Sequence, residues 1–204
     1  MTRWITGVIL LVAVAAAAWG LLPRKEHAPA VLSPVPTSED GERKESKEIT
    51  MQEIKVASSA FGHNGMIPAK YTCDGEDRSP ALEISGIPTE AKSLMLIMHD
   101  PDAPRSGGWT HWITYNIKLQ NENSKMIREG KEPGGVAGKG TGGNTSYMGP
   151  CPPSGTHRYF FTVYALDAEL SLKEGATKAD VEKAMEGHVI REGELVGLYS
   201  RKKI

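Results

Sequence analysis

The segment Ser93-Leu-Met-Leu-Ile-Met98 constrains the fold more than any other. It is a continuous apolar run bounded by turn chemistry, the pattern of a strand buried on both faces in the middle of a sheet. Elements of the same kind surround it. Glu53-Ile-Lys-Val-Ala and Ala81-Leu-Glu-Ile-Ser alternate with period two, as half-buried strands do. His111-Trp-Ile-Thr-Tyr-Asn-Ile117 and His157-Arg-Tyr-Phe-Phe-Thr-Val-Tyr-Ala-Leu166 are aromatic and β-branched runs that favour extended backbone, and Glu194-Leu-Val-Gly-Leu-Tyr199 reads as a final strand. The chain has 22 Gly and 13 Pro, which suits a turn-rich β architecture.

One helix is expected late in the chain. Thr177 can cap it, Asp180 stands at the third position of a capping box, and Gly187 can stop it. Val181, Ala184, Met185 and His188 fall at i, i+3, i+4 and i+7, an apolar face to lay on a sheet. The sequence shows no internal repeat and no second domain boundary in this part.

The first fifty residues differ. Trp4 to Leu22 carries no charge and is long enough to cross a bilayer as a helix. Ala16-Ala17-Ala18 also offers small residues for signal cleavage. The expectation is an N-terminal membrane anchor over 1–22 with the body extracytoplasmic, the alternative being a secreted or periplasmic protein after cleavage. Residues 23–50 are polar, Pro-containing and mixed in charge, hence a flexible linker, and 51–204 is the β-domain.

Charge excludes one class of partner. With 24 Lys and Arg against 25 Asp and Glu the net charge is −1, which gives no electrostatic reason to expect nucleic acid. The two cysteines, Cys73 and Cys151, exclude a Cys-rich zinc module but allow one disulfide or two small buried thiols.

Three segments concentrate unusual residues. Asp100-Pro-Asp102-Ala-Pro104 places two carboxylates where the buried strand ends, on a backbone stiffened by proline. Gly107-Gly-Trp-Thr-His-Trp112 brackets His111 with two Trp. Tyr147-Met-Gly-Pro-Cys-Pro-Pro-Ser-Gly-Thr-His-Arg-Tyr159 is a rigid loop feeding His157 and Tyr159, which share a strand face at i and i+2. A stiff loop leading into a His-x-Tyr pair suits a pre-formed pocket for a small anion.

These segments, with Cys73-Asp-Gly-Glu-Asp-Arg-Ser-Pro80 before them and Glu186-Gly-His-Val-Ile-Arg-Glu-Gly-Glu-Leu-Val-Gly-Leu-Tyr199 after, resemble the phosphatidylethanolamine-binding protein family, in its bacterial and archaeal Raf-kinase-inhibitor-like (YbhB/YbcL) branch. The resemblance covers roughly 56–199. It implies a mainly β fold, an antiparallel β-sandwich with one or two short helices, and a small cavity for phosphate-bearing anions. The implied ligand-binding residues are Asp100, Asp102, His111, Gly149, Pro153, His157 and Tyr159, with Tyr147 closing the rim. Both imidazoles would donate hydrogen bonds to phosphate oxygens, an aspartate would hold one of them in its donating tautomer, and Gly149 would bring a backbone N–H to the anion. The family pattern sets Cys73 and Cys151 beside the pocket loops, where a disulfide is one option.

The segment 118–146 departs from the branch: it is short and Gly-rich, and Ser146 stands where Gly is usual. The implied function is a non-catalytic binding module that needs no cofactor and no metal. The alternatives are a protease or kinase-like inhibitor acting through a surface loop, and a weak hydrolase built on His157, Asp100 and Tyr159. A protein partner or a second copy of the chain stays open. Zinc is disfavoured because His99, one residue before Asp100 on a strand, faces the opposite side. A thiol hydrolase is disfavoured because Cys151 lies between prolines.

Overall fold

The structure is a computed structural model that describes residues 53–119 and 123–202. The expected anchor over 1–22 and linker over 23–50 lie outside the described residues. Among those described, no helix is long and apolar enough to cross a membrane.

The described residues form nine strands and one α-helix: β1 (Lys55–Ala57), β2 (Gly65–Met66), β3 (Leu82–Ser85), β4 (Ser93–Asp100), β5 (Trp109–Ile117), β6 (Ser124–Ile127), β7 (Val136–Ala137), β8 (His157–Leu166), α1 (Lys178–Met185) and β9 (Val189–Tyr199). They form two sheets, ordered β1-β3-β6 and β2-β9-β8-β4-β5-β7. Every pairing is antiparallel except β2 with β9. The fold class is therefore the expected one, mainly β with two sheets and a short helix.

The run in β4 is apolar throughout because both its faces are covered. Leu94, Leu96 and Met98 pack with Leu82, Ile84 and Ile127 of the small sheet and with Phe161 and Val163 of β8. Met95 and Ile97, one residue out of phase, join Ile113, Tyr115, Leu170 and Val181 on the other side. Strand polarity thus turns one sequence run into two cores.

Helix α1 closes the second core. Thr177 and Asp180 form a reciprocal capping box, and Val181 is fully buried with Ala184 and Met185 packed beside it. His188 lies beyond the helix and hydrogen-bonds Asp167 instead of extending the apolar face.

The last strand starts five residues before the expected Glu194. Val189 to Gly193 is charged and Gly-interrupted, so it carries no strand signal of its own, yet it pairs along β8 with a register shift at Ala165/Leu166. The Gly-rich stretch after β7 has a definite place: Gly138 donates to Ile113 O, Thr141 donates to Thr110 O, and the Asn144 amide donates to His111 O. A Cβ at Gly138 would lie 2.5 Å from Ile113 Cγ2, so only glycine allows the segment to lie this close to β5.

Candidate functional site

The carboxyl end of β4 meets the amino ends of β5 and β8, because antiparallel pairing sets Asp100 opposite Trp109 and His99 opposite Phe160. A cavity of about 460 Å³ opens there. Asp100, His111, Gly149, Pro153 and His157 line it, brought together from three separate stretches of chain.

Asp100 and His157 form the buried centre, 2% and 7% exposed. His157 Nδ1 donates to Asp100 Oδ2 at 2.8 Å, and Asp100 Oδ1 accepts the Asp102 backbone N–H at 2.8 Å. The carboxylate thereby fixes the imidazole tautomer, leaving Nε2 for a ligand. His111, 4% exposed, donates from Nδ1 to the Met148 carbonyl at 2.9 Å. Burial holds its pKa below the ordinary histidine value, opposed in part by the Met148 carbonyl and by Asp100.

Three expected residues sit elsewhere. Asp102 turns away from the cavity: its carboxylate takes the Arg158 backbone N–H and both ends of the guanidinium fork, at 2.7–2.9 Å. That pairing lowers its pKa to about 2. The strand ends at Asp100, so the i+2 rule that would set both carboxylates on one face no longer applies. Tyr147 donates to Tyr71 O and packs edge-on against Trp112, behind the wall and not on the rim. Tyr159 is fully buried beneath the cavity, its ring edge-on to His111, with no hydrogen-bond partner for its hydroxyl. Burial, then the charge of Asp100, pushes the Tyr159 pKa up, so the hydroxyl stays protonated.

Gly149 lines the cavity for a different reason from the expected one. Its N–H donates to Asp77 Oδ1 at 2.7 Å and is already used. A Cβ there would lie 2.6 Å from Tyr71 O and 2.8 Å from Thr72 Cα. Glycine is needed so that this loop can lie against the 71–77 loop. Cys73 and Cys151 join those loops as a disulfide, and Cys73 N–H donates to Pro150 O.

Sequence reasoning passed over Asp77, Arg105 and Trp109, which also line the cavity. Asp77 belongs to the Cys73–Pro80 motif, and its backbone turns through a positive φ of 53°. Arg105 lies over the Trp109 ring, 5.5 Å from its centroid. Asp77 and Trp109 lie inside motifs already singled out and Arg105 directly follows one, so position in or beside a motif was the available signal. His99 hydrogen-bonds Thr110 and is absent from the lining. Among the described residues no three His, Cys, Asp or Glu side chains cluster as metal ligands.

Comparison with known proteins follows the same boundaries. A family model described as phosphatidylethanolamine-binding protein matches residues 57–200. A UPF0098 protein of Methanothermobacter thermautotrophicus is 51% identical over 151 residues, 72% of this chain and 99% of that protein. The solved structure of a Chlamydia trachomatis protein, described as a homolog of phosphatidylethanolamine-binding proteins, superposes with TM-score 0.69 at 43% identity, covering 74% of this chain and 99% of the other. Escherichia coli YbcL gives TM-score 0.68 at 28% identity, with 74% and 99% coverage.

The archaeal relative, spanned almost end to end by the match, has no room for a counterpart of segment 1–50. Against the expected membrane-anchored, extracytoplasmic or periplasmic placement stand that relative, matched over 99% of its length without such a segment, and the finding that no helix among the described residues is long and apolar enough to cross a membrane.

Proposed function

As a member of the phosphatidylethanolamine-binding protein family, the chain is a ligand-binding module, and we propose that its ligand is a small molecule bearing a phosphate group. The buried Asp100–His157 pair carries this reading. It sets a polar centre of fixed orientation in a cavity whose apolar wall is formed by Ala103, Pro104, Trp109, Met148, Pro152 and Pro153. A compact polar head fits against the imidazoles with Arg105 as the nearby cation, while an organic remainder lies on the prolines and Trp109.

The module binds without turnover. Both cysteines are consumed in the disulfide, and the Tyr159 hydroxyl is held protonated. Neither supplies an activated nucleophile.

Isothermal titration calorimetry with phenyl phosphate tests the proposal. Binding is expected for the native chain, and Asp100→Asn, which no longer fixes the His157 tautomer, should weaken it roughly tenfold or more. No binding of any phosphate monoester would end this reading. Release of inorganic phosphate that disappears in Asp100→Asn would replace it with a hydrolytic one.

A further inference from the structure

Apart from Arg105 and the indole N–H of Trp109, the side chains lining the cavity around His111 offer hydrogen-bond acceptors. A carbonyl oxygen can only accept, so the contact between His111 Nδ1 and Met148 O puts the ring hydrogen on Nδ1. Nε2 of the neutral ring is then a lone pair, and it makes no hydrogen bond among the described residues. Asp100 is an acceptor with both oxygens occupied, by His157 and by the Asp102 N–H. Asp77 is a second carboxylate in the lining, and it consumes the Gly149 N–H that would have been the nearest backbone donor. Arg105 is the one Lys or Arg in the lining among the described residues, and it sits exposed over Trp109.

The groups around His111 reinforce this. From β4 come Asp100 and His99, from β8 His157 and Tyr159, from the 72–77 loop Asp77, and from the loop before β5 Arg105. Two carboxylates face it, but burial outweighs them and favours the neutral ring. A phosphate dianion presented to this site would set its lone pairs against the Nε2 lone pair and two carboxylates.

On the phosphate reading above, we propose that the site selects the singly protonated monoester, whose P–OH donates to His111 Nε2, over the dianion. The proton completes a hydrogen bond that the neutral imidazole cannot make with a dianion, and it removes one of two negative charges from the neighbourhood of Asp77 and Asp100. The site thus selects its ligand by protonation state as well as by shape.

Calorimetry with phenyl phosphate and phenyl sulfate tests this on the full chain. With a second phosphate pKa of about 6, the monoanion falls from most of the ligand at about pH 5.5 to a few per cent at about pH 7.5, so apparent affinity should drop about 25-fold between them. In buffers of different ionisation enthalpy, binding at the higher pH should take up close to one proton. Phenyl sulfate has the same shape and a single charge but no acidic hydrogen. It should bind roughly tenfold more weakly at the lower pH, with no proton uptake.

Equal binding of the sulfate and phosphate esters would overturn the protonation claim and leave the anion pocket standing. Binding of neither would remove both. A measurement without ligand adds an independent arm: ring-nitrogen chemical shifts by NMR should show His111 as the Nδ1–H tautomer, and an Nε2–H tautomer would refute the proposal.

Discussion

Replacing both Cys73 and Cys151 by Ser tests how much of the domain's stability comes from tying two loops together. The bridge spans a sequence separation of 78 residues. The loop-entropy relation gives about 4.5 kcal/mol at 25 °C for a closed loop of that size. The native wall has other ties: Gly149 N–H to Asp77, Cys73 N–H to Pro150 O and the Tyr147 hydroxyl to Tyr71 O. These keep the loops in place without the covalent bond, so the loss falls on the unfolded ensemble, which gains the freedom the bridge denied it. At 2–4 °C per kcal/mol for a domain of this size, the midpoint of thermal unfolding should fall by about 9–18 °C. The urea m-value should rise, because the unfolded chain expands. Scanning calorimetry and urea titration of oxidised native chain against the double variant supply both numbers. A midpoint unchanged within about 3 °C would refute the reasoning, since it would mean the unbridged chain is already as restricted as the bridged one.

Three further outcomes are expected. Gly149→Ala should cost about 2 kcal/mol by urea unfolding, because its Cβ would meet the Asp77 carboxylate and the Tyr71 and Thr72 backbone; a cost below about 0.5 kcal/mol would show that the loop yields. Tyr159→Phe should stabilise by about 1 kcal/mol, because it removes a buried hydroxyl that lacks a partner; destabilisation would reveal a hydrogen bond the geometry does not contain. Asp102 has its pKa lowered from 3.8 to about 2, so its contribution is present above pH 3.8 and is lost as pH falls through about 2. Discounted for the exposure of Arg158, Asp102→Asn should cost about 1 kcal/mol at neutral pH, and the two proteins' urea midpoints should converge on acidification through that window.

Much of this was legible in the sequence, and for identifiable reasons. The β4 run, the aromatic β8 and the capped helix each carry a local signal strong enough to survive into the fold. Strands β2 and β7 did not show because two residues supply no periodicity, and β6 did not because a lysine, Lys125, occupies one of its two buried positions. The same divide runs through the site. Asp100, His111 and His157 stand at strand ends, where side-chain direction follows from the pleat. Asp102 stands just past a strand end, and a guanidinium 56 residues away decides where it points. Gly149 was recognised as special, but whether its N–H serves a ligand or Asp77 depends on a loop that no local pattern locates.

The glycine-rich cover on β5 has a counterpart across the large sheet. Asn64 donates to Val196 O and Ile67 to Leu198 O, so the 62–67 segment occupies the free side of β9 as Gly138, Thr141 and Asn144 occupy that of β5. The two long outer strands are thereby denied as templates for a foreign strand, the usual route by which β-proteins recruit one another into aggregates. At these covered stretches of the large sheet a foreign strand is therefore excluded. Mutations that lift either cover, such as bulk at Gly138, should be read first as risks of association and only second as losses of stability.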